Sequence, residues 1–189
     1  MREDSWEKLY SDASTCTSCE LCKTRTNCVF GVGNRSADVM FIGEAPGDNE
    51  DKTGVPFVGR AGQLLDKFLF AVDIPRESVY IANILKCRPP KNRDPLPAEE
   101  DACIDFLRRQ VALIQPKVIV CLGRISAMKL IKPDFKITKE HGNWFVKGNY
   151  LITAVYHPAL LLRDPRRKEE MLEDMKKIKA KLDENNIQI

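Results

Sequence analysis

The sequence predicts an α/β protein in which a central, mostly parallel four-stranded sheet carries helices on both faces. Two observations carry this. Four short apolar runs, each of strand length, are separated by longer stretches with helical periodicity, and strand and helix alternate along the chain. No internal repeat or low-complexity segment breaks the alternation. At 189 residues the chain is expected to form one domain, residues 1–189, able to bury about 70% of its unfolded surface.

The elements follow in order. "ADVMFIG" (37–43) is a short apolar strand closed by Gly43. "RAGQLLDKFLFAV" (60–72) places Leu64, Leu65, Phe68 and Leu69 on one helical face. "SVYIANILK" (78–86) is the second strand. "PAEEDACIDFLRRQVALIQ" (97–115) opens with Pro97 and acidic residues, as a helix N-terminus favours. "KVIVCLG" (117–123) and "YLITAVYHP" (150–158) supply the last two strands. Residues 15–37, 44–59 and 88–96 read as irregular.

Composition sets further bounds. An apolar fraction of 43% with 30% charge is ordinary for a globular protein. No apolar run approaches the roughly 20 residues needed to span a bilayer, and "MREDSWEKLY" lacks the apolar segment of a secretion signal. No membrane partner and a cytoplasmic location are therefore expected. The net charge of +3 says little by itself, but Arg163, Arg166, Arg167 and Lys168 crowd together, as do Lys86, Arg88, Lys91 and Arg93. Seven cysteines in such a chain point to metal or redox chemistry rather than disulfides. Cys121, inside "KVIVCLG", is expected in the core.

In a parallel sheet, ligands bind beyond the carboxyl ends of the strands. The loops there carry "GEAPGDNEDKTGVPFVG", "NILKCRPPKNR" and "YHPALLLR", so Glu44, Phe57, Asn83 and His157 are expected to share one pocket. Taken singly, each has an ordinary explanation: a solvated acid, a loop hydrophobe, a hydrogen-bonded strand amide, a structural histidine.

Together, "GEAPG", "EDKTGVPFVGRAGQLLD", "NILKCRPPKNRDPLPAEEDAC" and "HPALLLR" resemble the motifs of the family 4 uracil-DNA glycosylases, in order and spacing, from about Cys16 to Arg167. The resemblance implies a compact three-layer α/β/α sandwich, hydrolysis of the bond joining uracil to deoxyribose, and a [4Fe-4S] cluster. Its ligand pattern is similar to Cys16, Cys19, Cys87 and Cys103. Cys19 and Cys22 form a second Cys-x2-Cys pair, Cys28 has no assigned role, and four thiolates would also suit zinc. A cluster there would have a structural role.

The same resemblance assigns the cleft. Phe57 stacks on uracil; Asn83 reads its edge, donating to O4 and accepting from N3–H; Glu50 crowds the position of a thymine methyl. His157 donates to O2 of the departing base, and backbone amides of the Glu44-Ala45 turn add to this. The better-known branch of the superfamily carries aspartate where this chain has Ala45, so Glu44 becomes the candidate for holding water, with Asn92 orienting Glu50 or Glu44. A base must leave the stack to be hydrolysed, which explains leucines beside cations. Leu161, with Leu162 next, is expected to fill the vacated space while Arg163, Arg166 and Arg167 hold phosphates; the buried start of a helix is the alternative for Leu160 and Leu162. The expected partners are single- and double-stranded DNA containing uracil, bound by a monomer. Two alternatives stay open: a glycosylase for another deaminated base such as hypoxanthine, and a non-catalytic iron–sulfur DNA-binding module. A covalent histidine-adduct branch is disfavoured, because no basic histidine-containing insertion is visible and His141 reads as a loop residue.

Overall fold

The four apolar runs form the inner strands of a wider sheet. In this computed structural model, which describes residues 5–187 and 189, the chain runs through α1 (Trp6–Ser14), β1 (Val32–Gly33), β2 (Val39–Gly43), α2 (Asp48–Thr53), α3 (Arg60–Ala71), β3 (Tyr80–Asn83) and α4 (Pro97–Ile114). It continues through β4 (Val118–Leu122), α5 (Arg124–Leu130), α6 (Ile137–Glu140), β5 (Trp144–Lys147), β6 (Tyr150–Val155), α7 (Pro158–Arg163) and α8 (Lys168–Glu184).

The sheet has six strands in the order β1-β3-β2-β4-β6-β5. The four expected strands pair in parallel; β1 and β5 add antiparallel edges. This corrects the expectation of four strands. Both additions are short and partly exposed, β1 being two exposed residues and β5 the four-residue Trp144–Lys147, half exposed, because an edge strand is covered on fewer sides than an inner one. The short helix α2 likewise lies within a stretch expected to be irregular.

Side chains alternate along the inner strands, so each face builds its own core. Val39, Phe41, Val118 and Val120 pack with α3, α7 and α8 residues such as Leu65, Leu161 and Met175. Met40, Ile42, Ile119 and Cys121 pack with Ile104 and Leu107 of α4 and Ala127 of α5. The result is three layers, helix on sheet on helix, with Cys121 in the core as expected. No helix among the described residues is long and apolar enough to cross a membrane.

The register matters most at the carboxyl ends. Gly43 pairs with Asn83, and Leu122 with Val155. Chain order reverses across β2, which lies between β3 and β4. That reversal opens a crevice where ligands of parallel sheets bind.

Candidate active site and thiol pocket

A cleft of about 680 Å³ occupies that crevice, lined by Glu44, Ala45, Glu50, Phe57, Asn83, Asn92, His157 and Arg163 among others. The residues expected to converge do so.

Phe57 sits in a strained backbone, with φ of 54° at a non-glycine residue. Three neighbours hold it. Glu50 Oε1 accepts the amides of Val58 at 2.9 Å and Gly59 at 2.7 Å. Arg76 donates to the carbonyls of Pro56 at 3.0 Å and Phe57 at 3.1 Å, and its other nitrogen pairs with Asp66. Gly62 permits the close approach, since a Cβ there would lie 1.9 Å from the Phe57 carbonyl oxygen. The Phe57 ring ends against Gly43, where a Cβ would stand 2.6 Å from it and 2.4 Å from Asn83 Oδ1. Only glycine leaves room for both.

Asn83 is 1% exposed, and its Oδ1 is the one buried side-chain polar atom among the described residues without a hydrogen-bond partner. Buried polar atoms are normally paired, so an orphan acceptor on a cleft wall is suited to a ligand's donor. His157 caps α7: its Nδ1 accepts the Ala159 amide at 3.1 Å, which leaves the ring proton on Nε2. Burial, with the Arg163 cation nearby, pushes its pKa down to about 4. The imidazole is therefore a neutral donor at neutral pH. Its ring centre lies 5.7 Å from that of Phe57. Glu44 behaves oppositely, pushed up to about 7 by burial and by the Asp94 carboxylate.

Residues 30–182 match the family model of the uracil DNA glycosylase superfamily. The chain is 45% identical to a type-4 uracil-DNA glycosylase of Archaeoglobus fulgidus over 93% of this chain and 92% of that one. It is 44% identical to the type-4 enzyme of Thermotoga maritima over 95% of each. A type-5 uracil-DNA glycosylase of Pyrobaculum aerophilum is 31% identical over 68% of this chain and 64% of its own.

The chain belongs to the uracil-DNA glycosylase superfamily.

Within this superfamily member several expected residues take other positions. Leu161 is fully buried in the core between sheet and helices, whereas Leu160 is 37% exposed and lines the cleft. The expected wedge is thereby corrected: Leu161 has no free surface to insert anywhere, and Leu162 is half-buried. Arg163 and Arg166 are exposed, with Arg166 paired to Asp164 at 2.8 Å. Arg167 is turned inward instead, donating to the Tyr156 hydroxyl at 2.7 Å and stacking on its ring at 5.1 Å. No hydrogen bond among the described residues joins Asn92 to Glu50 or Glu44. Asn92 accepts from Arg88 at 2.7 Å, and Arg88 pairs with Asp48 at 2.6 Å. The basic cluster at 86–93 also dissolves: Lys86 is 1% exposed, and Arg93 pairs with Glu99 at 2.6 Å.

A second, smaller cavity lies behind β3, lined by Cys16, Cys19, Cys22, Cys87 and Cys103. The four expected thiols are brought together, with Cys22 as a fifth. No group of three or more His, Cys, Asp or Glu side chains among the described residues is placed to hold a metal ion. Burial pushes the Cys103 thiol up to about 11 and raises Cys87 as well. A cation faces these sulfurs: Arg25 donates to Cys87 Sγ at 3.1 Å and to the Ser14 carbonyl at 2.5 Å. Lys86 lines the cavity with its main-chain amide, which donates to Cys103 Sγ at 3.3 Å. The sequence pointed to neither Arg25 nor Arg76, and offered Leu160 only as a buried helix start; the positive φ and the helical phase that give them their roles leave no trace in composition.

Proposed function

We propose that this protein hydrolyses the N-glycosidic bond of uracil in DNA, leaving an abasic site and thereby initiating repair of deaminated cytosine. The observation that carries the reading is the orphan Asn83 Oδ1 on the wall of a cleft that also holds Phe57 and a neutral His157.

The residues divide the work. Extrusion of the nucleotide from a duplex costs a few kcal/mol. Leu160, on the cleft rim, fills the vacated space, and Arg163 and Arg166 hold flanking phosphates. Phe57 stacks on the extruded ring. Asn83 Oδ1 accepts N3–H of uracil and its amide nitrogen donates to O4; cytosine has no N3 proton and presents a donor at position 4, so both contacts fail. Glu50, already holding the Phe57 loop, crowds the position of a 5-methyl group.

The C1′–N1 bond breaks with its electron pair passing to uracil, leaving positive charge on the sugar. The Nε2–H of His157 donates to O2 of the departing anion, and the amides of the Glu44-Ala45 turn add to that field. A donor aimed at developing charge contributes about 3 kcal/mol. Water then bonds to C1′ and passes a proton to Glu44, whose ionised form also faces the sugar charge.

The thiol cavity fits a [4Fe-4S] cluster by its donor set: soft sulfurs around one enclosed space, with Arg25 to offset thiolate charge. Cys16, Cys19, Cys87 and Cys103 would hold it. When bound, the cluster supplies a tie between the N-terminal segment, the loop after β3 and α4. We read the protein as acting as one domain and as a monomer, in the cytoplasm, on single- and double-stranded uracil DNA.

The test is a base-release assay on oligonucleotides with uracil in single strands, opposite guanine and opposite adenine, with a hypoxanthine arm. Free uracil and an alkali-labile site are expected. Binding with quantitative recovery of intact uracil DNA would leave only a binding module, and preferential release of hypoxanthine would reassign the substrate.

A further inference from the structure

Lys86 is among the most deeply buried large side chains, 1% exposed, and no carboxylate among the described residues pairs with it. Burying an ammonium group is costly unless its protons are used. They are used on two neutral acceptors: Nζ donates to the main-chain carbonyl of Asn83 at 2.9 Å and to Gln110 Oε1 at 2.7 Å. Gln110 is in turn fixed, donating to the Phe30 carbonyl at 2.9 Å and the Tyr80 hydroxyl at 3.1 Å. At the other end, the Lys86 amide donates to Cys103 Sγ at 3.3 Å, and the next residue is Cys87.

One residue therefore touches both sites. We infer that Lys86 is a positioning residue that fastens the base-reading Asn83 to the thiol pocket, so that uracil recognition depends on the integrity of that pocket. Asn83 is the last residue of β3; the peptide that follows it is held on one side by the Ile84 amide donating to the Gly43 carbonyl at 3.0 Å and on the other by Lys86, and the Oδ1 that Asn83 offers the ligand has no partner among the described residues to aim it. Its direction is set by the peptide that Lys86 holds and by the space at Gly43. The inference rests on the proposed uracil-reading role of Asn83.

A double-mutant cycle of Lys86→Met and Asn83→Ala tests it. The Asn83→Ala change keeps the main-chain carbonyl that Lys86 holds, so the cycle separates side-chain aim from scaffold damage. Binding is measured with oligonucleotides carrying 2′-fluoro-2′-deoxyuridine, which resists hydrolysis, and with the same sequence carrying an abasic analogue; visible absorbance reports the cluster. Lys86→Met alone is expected to lower the uracil-over-abasic affinity ratio at least about tenfold, and to have no further effect on that ratio in the Asn83→Ala background. Equal factors in both backgrounds, or an unchanged ratio in the single variant, would overturn the inference. Should Lys86→Met fail to fold or lose its visible absorbance, the same cycle with Gln110→Met, which removes the second acceptor fixing Lys86 Nζ and leaves every thiol in place, is expected to lower the ratio by a smaller factor in the Asn83 background only; an unchanged ratio in that variant would overturn the inference. A wild-type protein that shows no preference for uracil over the abasic analogue would instead count against the reading of Asn83.

Discussion

Glu44 and His157 face one cleft with opposite protonation behaviour, and the difference predicts a pH profile. Burial and Asp94 hold Glu44 near 7, whereas burial and Arg163 hold His157 near 4. Base release is expected to rise as pH passes through about 7, where Glu44 ionises, with no second inflection from His157 between there and pH 5. Glu44→Gln should lower the rate and remove the rise; a rise that persists in this variant would take the water-holding role from Glu44. His157 also links to stability. Its folded pKa of about 4 lies below the ordinary 6.5, so the unfolded chain takes up a proton first and stability falls as pH drops through that window. These residues were legible in the sequence because each terminates or follows an apolar strand, and parallel strands bring such ends together. Lys86 was not, since its residue type points to the surface and only the paired acceptors of Asn83 and Gln110 explain its burial.

The element that most separates sequence from structure is α7. Three consecutive leucines cannot set the phase of a six-residue helix, and the phase decides which of them faces solvent. The helix starts at Pro158, capped by His157, and this places Leu161 toward the core and Leu160 toward the cleft. Leu161→Ala is expected to lower unfolding stability by about 2–5 kcal/mol in denaturant titrations. Leu160→Ala should leave stability nearly unchanged and reduce release from duplex uracil more than from single strands. Equal losses on both substrates would remove the wedge role from Leu160. Similarly, the turn before α3 lies in a stretch expected only to be irregular, while the structure shows a positive φ at Phe57 held by Glu50, Arg76 and Gly62.

At the scale of the whole molecule, the inner sheet and both helical layers followed from alternating apolar strands and amphipathic helices, and the edge strands did not because they are only two and four residues long and partly exposed. The thiol pocket joins segments more than 80 residues apart, from Cys16 to Cys103. Anaerobically purified protein is expected to be brown, and Cys87→Ser or Cys103→Ser should lose iron and melt at lower temperature. Cys121→Ser, in the sheet core, should retain iron; loss of iron there, with retention in Cys103→Ser, would refute the proposed ligands.

The proposed uracil recognition depends on Asn83 reading the pyrimidine edge through an acceptor left unpaired among the described residues. Release of cytosine from single-stranded DNA by Asn83→Asp tests this most directly, because a protonated aspartate can donate to N3 of cytosine while its remaining oxygen accepts from the 4-amino group. A gain of cytosine release over wild type, with uracil release reduced, is the expected result. An Asn83→Asp variant that keeps wild-type uracil release and never releases cytosine would contradict it.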